Sequence, residues 1–76
     1  MKNKNNTKNV EAQVITLAAI DYIVKGELAD CYNIIYSTYG LTAEQIDKIL
    51  DKYNNVLDEL VDQYQNILVN WVADRL

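Results

Sequence analysis

The stretch LTAEQIDKILDKYNNVLDELVDQYQNILVNWVADRL, residues 41–76, decides the fold because it predicts one long amphipathic helix. Thr42 marks its start, since a threonine hydroxyl suits the N-cap position. Gln45 lies three residues later and completes a capping box. No Pro or Gly follows Gly40, so nothing in the sequence interrupts the pattern. We therefore predict a helix over residues 43–75.

Apolar side chains recur along this helix at steps that alternate between four and three residues, as in a coiled coil or bundle. They are Ile46, Leu50, Tyr53, Leu57, Leu60, Tyr64, Ile67 and Trp71. Flanking apolar residues shift gradually around the helix, as they do on a straight helix without supercoiling. This pattern favours packing against short helices.

The N-terminal half predicts two shorter helices, at about residues 10–25 and 27–39, after a disordered basic arm at 1–9. Gly26 favours a break between them, although one continuous helix with a weak point is the alternative. The first helix is apolar around most of its circumference, which predicts a central position or a shared interface. The predicted fold class is all-α, a small helical bundle of one domain (10–76). Its two shorter helices pack on one long C-terminal helix.

Two residues fall on the apolar stripes of the shorter helices. Asp21 is expected at the edge of its stripe, reaching water. The alternative is a buried carboxylate hydrogen-bonded to a tyrosine or to a partner. Cys31 is expected to be a small apolar core residue.

Charge is unevenly distributed along the chain. The net charge of the whole chain is −4, but residues 1–9 carry a charge of +3, from Lys2, Lys4 and Lys8. The remaining 11 acidic and 4 basic residues therefore give −7. An acidic body does not attract nucleic-acid phosphates, so we expect no direct nucleic-acid binding.

The chain is expected to lie in the cytoplasm, of a bacterium or of a phage-infected cell. Its longest apolar run, 14–24, is shorter than the ~20 residues of a membrane span, and no secretion signal is evident. Its single cysteine suits a reducing compartment. Enrichment in Lys, Asn, Ile and Tyr is typical of AT-rich codons, which suggests a low-GC bacterium or its phage.

No catalytic constellation is present in the sequence. The chain lacks His, and Gly26 and Gly40 are its only glycines, so neither a His-based catalytic site nor a glycine-rich phosphate loop is available. We predict that the chain is not an enzyme and takes no metal and no other cofactor.

Candidate binding residues lie on the outer face of the long helix and among the tyrosines. Asp47 and Asp51, like Asp58 and Asp62, are spaced by four and share a helix face. This face is either simply solvated or an acidic docking surface. Tyr22 and Tyr36 lie off the best apolar stripes, and tyrosine is favoured at interfaces, so both are predicted partner contacts.

The C-terminal turns are apolar around most of the helix. The residues concerned are Leu68, Val69, Trp71 and Val72. Such a terminus is expected to be covered by the first helix, by another subunit or by a partner, and we predict an oligomer interface here.

One local resemblance concerns the turn before the long helix. Tyr39-Gly40-Leu41-Thr42 resembles the interhelical turn of the small sporulation-regulating aspartyl-phosphate phosphatases of bacilli, which are helical hairpins. Residues 50–54, LDKYN, stand where that family carries its Ser-Gln-Glu-Leu-Asp signature. The resemblance therefore implies a hairpin turn and no function.

Three functions are compatible with these patterns. The first is a non-catalytic protein-binding regulator or inhibitor, such as a phage-encoded antagonist that occludes a host enzyme or defence complex. The second is a structural or assembly protein that homo-oligomerises through its first helix and its apolar C-terminus. The third is an oligomer that sequesters a small nucleotide, which the tyrosines and Lys25 suggest.

Overall fold

The structure, a computed structural model, describes residues 2–76, with side chains from residue 8 onward. It contains four helices: α1 (Lys2–Lys25), α2 (Ala29–Tyr39), α3 (Ala43–Lys52) and α4 (Asn54–Arg75). The predicted all-α bundle with a long C-terminal helix is confirmed.

Helix α1 begins earlier than the sequence pattern predicts. The expected arm at 1–9 is helical from Lys2 onward, so the helix begins about two turns before Val10, the first periodic apolar residue. Extension is physically reasonable, because adding residues to an existing helix is far easier than nucleating one. Met1 lies outside the described residues.

The predicted break at Gly26 is confirmed, and α2 ends in the same way at Gly40. Both glycines have left-handed backbone angles, with φ of 75° and 74°. Each donates its N–H to the carbonyl four residues earlier, Tyr22 and Tyr36 respectively, at 2.8 Å. A glycine adopts this conformation without the steric cost that a Cβ would add.

The capping box at the start of α3 is also confirmed. The backbone N–H of Gln45 donates to the Thr42 hydroxyl at 3.2 Å, and the Thr42 N–H donates to the Gln45 side chain at 2.9 Å. These bonds satisfy backbone donors that the first turn of a helix leaves unpaired.

The single helix predicted over 43–75 is wrong, because the chain divides at Tyr53. The residue leaves helical geometry, with φ −111° and ψ 30°. The Tyr53 hydroxyl donates to Glu11 Oε1 in α1 at 2.9 Å. The Tyr53 N–H still reaches the Ile49 carbonyl at 3.0 Å. The division coincides with this contact to α1, which local periodicity does not reveal.

The core lies between α1, α2 and α3. Its fully buried apolar residues are Val14, Ile15, Ala18, Ala19, Cys31, Ile35 and Ile46. Helix α1 contacts all three other helices, which confirms its predicted central position. Helix α4, described throughout, buries none of its residues fully and packs through half-buried side chains such as Leu57 and Leu60.

Helices α1 and α4 lie side by side and run in the same direction. Near the start of α4, Tyr53 meets Glu11, and further along Tyr22 lies beside Val61 and Gln65. Helix α1 ends soon afterwards, whereas α4 continues. Every residue from 65 to 76 is exposed, and we call this segment the projecting end. Helix α1 therefore does not cover the apolar C-terminus.

Candidate protein-binding site

The four aspartates predicted as a docking surface border a groove that consists of two adjoining parts. Its first part, of about 450 Å³, is bordered by Asp58 and Asp62. Its second part, of about 600 Å³, is bordered by Asp47 and Asp51. Leu28 and Leu57 line both parts, so the two adjoin. We call the whole depression the acidic groove.

Helical spacing explains why these side chains converge. Asp47 and Asp51 lie one turn apart on α3, and Asp58 and Asp62 lie one turn apart on α4. Asp51 and Asp58 are seven residues apart, which is close to two full turns. The break at Tyr53 does not isolate the pairs from each other, because the two parts of the groove that they border share Leu28 and Leu57.

The rim of the acidic groove is strongly negative, and its floor is apolar. Its charged residues are Glu44, Asp47, Lys48, Asp51, Asp58 and Asp62. Five acidic side chains against one basic side chain give a local charge of −4. Leu28, Leu50, Leu57 and Val61 supply apolar lining, and all four are half-buried. The surface thus offers apolar contact flanked by acceptors.

One of the four carboxylates is held in place from α2. The hydroxyl of Tyr32 donates a hydrogen bond to Asp47 Oδ1. This bond, together with partial burial, raises the pKa of Tyr32 to about 12, because the carboxylate favours the protonated phenol. The contact joins α2 to α3 across the end of the groove.

The two predicted tyrosine contacts fall in different places. Tyr22 is 54% exposed and lines the groove beside Asp58 and Asp62. Tyr36 is 62% exposed on α2 and is not among the residues that line the described groove. The structure therefore groups Tyr22, but not Tyr36, with the acidic residues.

Sequence reasoning missed the residues that join the two halves of the groove. The sequence pattern places Leu28 inside a helix. In the structure it lies in the linker before α2 and faces α4 through the groove. Leu57 belongs to the predicted apolar seam, and it is half-buried there. No local pattern indicated that a seam leucine and a linker leucine would meet under the aspartates.

The expectation that Asp21 reaches water is wrong. The residue is only 6% exposed, and its Oδ2 accepts hydrogen bonds from the backbone N–H groups of Asp30 (3.0 Å) and Cys31 (3.2 Å). These are first-turn donors of α2, whose N-cap residue, Leu28, has no polar side-chain atom. Asp21 therefore caps α2 from the neighbouring helix.

Lys25 takes part in the same junction. Its Nζ lies 2.5 Å from Asp30 Oδ2. The hydrogen bond and the charge of Asp30 raise the pKa of Lys25. The ammonium group proposed to hold a nucleotide is thus already paired with a carboxylate.

Cys31 is confirmed as a core residue. It is 1% exposed, and its thiol points to the Val14 carbonyl at 3.7 Å. Burial, assisted by the nearby charge of Asp21, raises the pKa of Cys31 to about 11. A thiol with such a pKa carries little thiolate near neutrality and is a poor nucleophile or metal ligand.

The described part of the chain contains neither a cluster of metal-ligating side chains nor a membrane-spanning helix. No group of three or more Cys, Asp or Glu side chains is arranged to hold a metal ion among the residues described. Among the described helices, none combines the length and the apolar character that crossing a bilayer requires.

The projecting end carries a second exposed feature. Leu68, Trp71 and Val72 are each about half exposed, and Val69 is 65% exposed. The guanidinium of Arg75 stacks on the Trp71 ring, 3.6 Å from its centroid, and donates to the Trp71 carbonyl at 3.0 Å. The predicted interface residues are therefore accessible, and an ordered Trp–Arg pair lies among them.

Comparison with protein-family models, curated proteins and solved structures gave no match. The arguments for function therefore rest on the geometry of this chain.

Proposed function

We propose that this chain is a non-catalytic protein-binding regulator that acts by occlusion, with its acidic groove receiving a basic segment of another protein. The observation that carries this proposal is the convergence of Asp47, Asp51, Asp58 and Asp62 along an apolar floor shared by α3 and α4. A flat solvated face would spread these charges without such a floor.

The chemistry of the groove defines its ligand. The rim selects Lys and Arg by charge, and the leucine floor selects apolar side chains. From Asp47 to Asp62 the groove follows α3 and α4 for roughly 20 Å, the length of about four helical turns. An amphipathic helix with apolar residues at i, i+3 and i+4, flanked by basic residues, meets both requirements.

The biological setting is part of the same proposal. An amino-acid composition typical of AT-rich codons and a single buried cysteine support a cytoplasmic protein of a low-GC bacterium or its phage. A basic helical surface on a host enzyme or defence complex is then the target. Occupying that surface inhibits the target without any chemical step.

A display library of randomised helical peptides, selected on the full-length chain, tests the ligand chemistry. We expect enrichment of peptides that combine Lys or Arg with Leu or Ile at helical spacing. Their affinity should fall steeply with added salt, because exposed charge pairs are screened. Enrichment of acidic or uncharged peptides would contradict the proposal.

A matched pair of variants locates the binding. Asp51→Asn with Asp58→Asn neutralises two groove residues without touching the Tyr32–Asp47 bond. Glu59→Gln with Asp74→Asn removes the same charge from positions outside the groove. We expect the first pair to weaken the selected peptides about tenfold or more, and the second to weaken them far less. Equal losses would indicate a non-specific effect of net charge.

A second candidate function, self-assembly, is favoured by a different observation. The projecting end exposes an apolar surface that the described part of the same chain does not cover. We propose that this surface makes the chain a homo-oligomer, whether or not the acidic groove has a foreign partner.

A further inference from the structure

We propose that two copies of this chain pair as an antiparallel dimer through α4, with Leu68 of each copy at the two-fold axis. The proposal rests on the self-association proposed above; it shares Asp58 and Asp62 with the acidic groove but needs no ligand there. Its occupant is a second copy of this chain because an uncharged, exposed apolar segment of α4 lies between Asp62 and Arg75, charges of opposite sign that an antiparallel copy brings together.

The apolar stripe of α4 is continuous beyond the bundle. Leu57 and Val61 are half-buried against the rest of the chain, whereas Leu68 and Trp71 are exposed. Val61, Leu68 and Arg75 are seven residues apart and share one face of the helix. The face that packs inside the bundle thus extends, uncovered, into the projecting end.

Charge along this part of α4 is arranged as a dimer interface requires. The eleven residues from 63 to 73 contain no charge, in a chain of which 24% is charged. Depletion of charge is a signature of interface cores. Asp62 precedes this uncharged segment, and Asp74 and Arg75 follow it.

Antiparallel pairing brings these flanking charges together. With Leu68 opposite its own copy, position 75 of one chain lies opposite position 61 of the other. Arg75 then reaches the level of Asp62, and of Asp58 one turn away, whereas Asp74, which is also level with Asp62, points about 100° away from Arg75 around the helix. Because Arg75 is already ordered by its stack on Trp71, forming the ion pair costs little further side-chain entropy. Parallel pairing would instead align Arg75 with Arg75.

The available area fits a weak and reversible dimer. Ile67, Leu68, Trp71 and Val72 expose 59%, 50%, 55% and 47% of their surface. Together they supply roughly 450 Å² of exposed surface per copy. Specific interfaces begin near about 600 Å² per partner once polar atoms are included, so a dissociation constant on the order of micromolar is expected.

Dimerisation would also complete the packing of α4, none of whose fully described residues is buried in the single chain. Domains of about this size bury a smaller fraction of their surface than larger domains do, and they often depend on association for stability.

Sedimentation equilibrium of the full chain, up to about 200 µM, tests the proposal. We expect a concentration-dependent mass approaching twice 8.7 kDa. Leu68→Lys places two like charges at the axis and should raise the dissociation constant at least about tenfold. Asn66→Lys is the matched control, because Asn66 belongs to the same exposed segment but lies on nearly the opposite side of the helix from Leu68. It should leave the dimer intact.

A charge exchange tests the antiparallel register. Arg75→Glu alone and Asp62→Arg alone should each weaken the dimer by about tenfold, and the double variant should restore it. Far-UV circular dichroism of each variant checks that helicity is retained. Failure of the double variant to recover would overturn the register.

The remaining outcomes separate the two proposals. If the wild type is monomeric at the highest concentration, self-association is overturned. The apolar stripe of α4 is then left as a surface for a different protein. A dimer that resists Leu68→Lys overturns pairing through α4. The Leu68→Lys variant retains the residues of the acidic groove, so selected peptides should still bind to it, and loss of that binding counts against the groove alone.

Discussion

The carboxylate of Asp21 in α1 accepts a hydrogen bond from the backbone N–H of Cys31 in α2, and so caps a helix to which it does not belong. The same oxygen also accepts the N–H of Asp30. Because Leu28 cannot cap, the first turn of α2 depends on a side chain from another element. This bond determines where α2 begins and how it lies against α1.

Replacing Asp21 should therefore lower the free energy of unfolding more than expected for an exposed residue at the edge of an apolar stripe. We expect Asp21→Ala to lower the free energy of unfolding by about 1 to 3 kcal/mol, because two first-turn N–H groups lose their acceptor in a buried site. Urea denaturation followed by circular dichroism measures this loss. Asp30→Ala is the control: it removes only the exposed pair with Lys25 and should cost much less than Asp21→Ala. Equal costs would show that the cap is unimportant.

Because of Cys31, the free energy of unfolding should fall at alkaline pH. Its pKa is about 11 in the folded chain, against 9.0 for an unperturbed thiol. Below pH 9 both states are protonated and stability is complete. Between about 9 and 11 only the unfolded chain loses the proton, so stability declines, by roughly 2 to 3 kcal/mol at most.

Urea midpoints of the wild type and Cys31→Ala test this dependence. The difference between the two proteins should shrink as pH rises through the window from about 9 to about 11, because only the wild type carries the titrating thiol. In neutral buffer the thiol should also resist aromatic disulfide reagents until the chain is unfolded. Rapid labelling of the native chain would contradict the buried position of Cys31.

The Tyr32–Asp47 bond should be visible in a spectrophotometric titration. One of the six tyrosines should ionise late, since Asp47 raises the pKa of Tyr32 to about 12. Asp47→Asn should return that ionisation toward pH 10, whereas Asp51→Asn should not. Stability from this bond is present below about pH 10 and is lost as pH rises through 12. An unchanged titration in Asp47→Asn would disprove the assignment.

The junction between α3 and α4 should depend on the bond from Tyr53 to Glu11. Tyr53→Phe should cost about 1.5 kcal/mol, the lower end of the net value of a hydrogen bond to a charged acceptor, because the site is only partly buried. Tyr36→Phe, at an exposed position, should change stability by less than about 0.5 kcal/mol. A double-mutant cycle with Glu11→Gln isolates the pair, and a coupling energy near zero would exclude it.

Features that depend on neighbouring residues were predictable from the sequence. Thr42 with Gln45 marks the start of α3, and Gly26 and Gly40 end the helices before it. Each of these devices acts within a few residues of the backbone groups that it satisfies. Local pattern is therefore sufficient to find them.

Features that depend on contacts between helices were not predictable. The division at Tyr53 coincides with a bond to Glu11, 42 residues away. Periodicity places Asp21 on an apolar face, but it does not show that the start of α2 lies opposite. The same limit applies to the acidic groove: spacing groups the four aspartates, whereas its floor depends on Leu28 in a linker.

The parallel packing of α1 and α4 has a mechanical consequence. Because the two helices run in the same direction, the N-terminus of α1 and the C-terminus of α4 lie at opposite ends of a molecule whose longest extent is 45 Å. Tension applied between the termini would load the contact between α1 and α4 in shear, along its whole length. The bonds between the two helices would then resist together, whereas an antiparallel hairpin pulled from adjacent ends unzips one turn at a time.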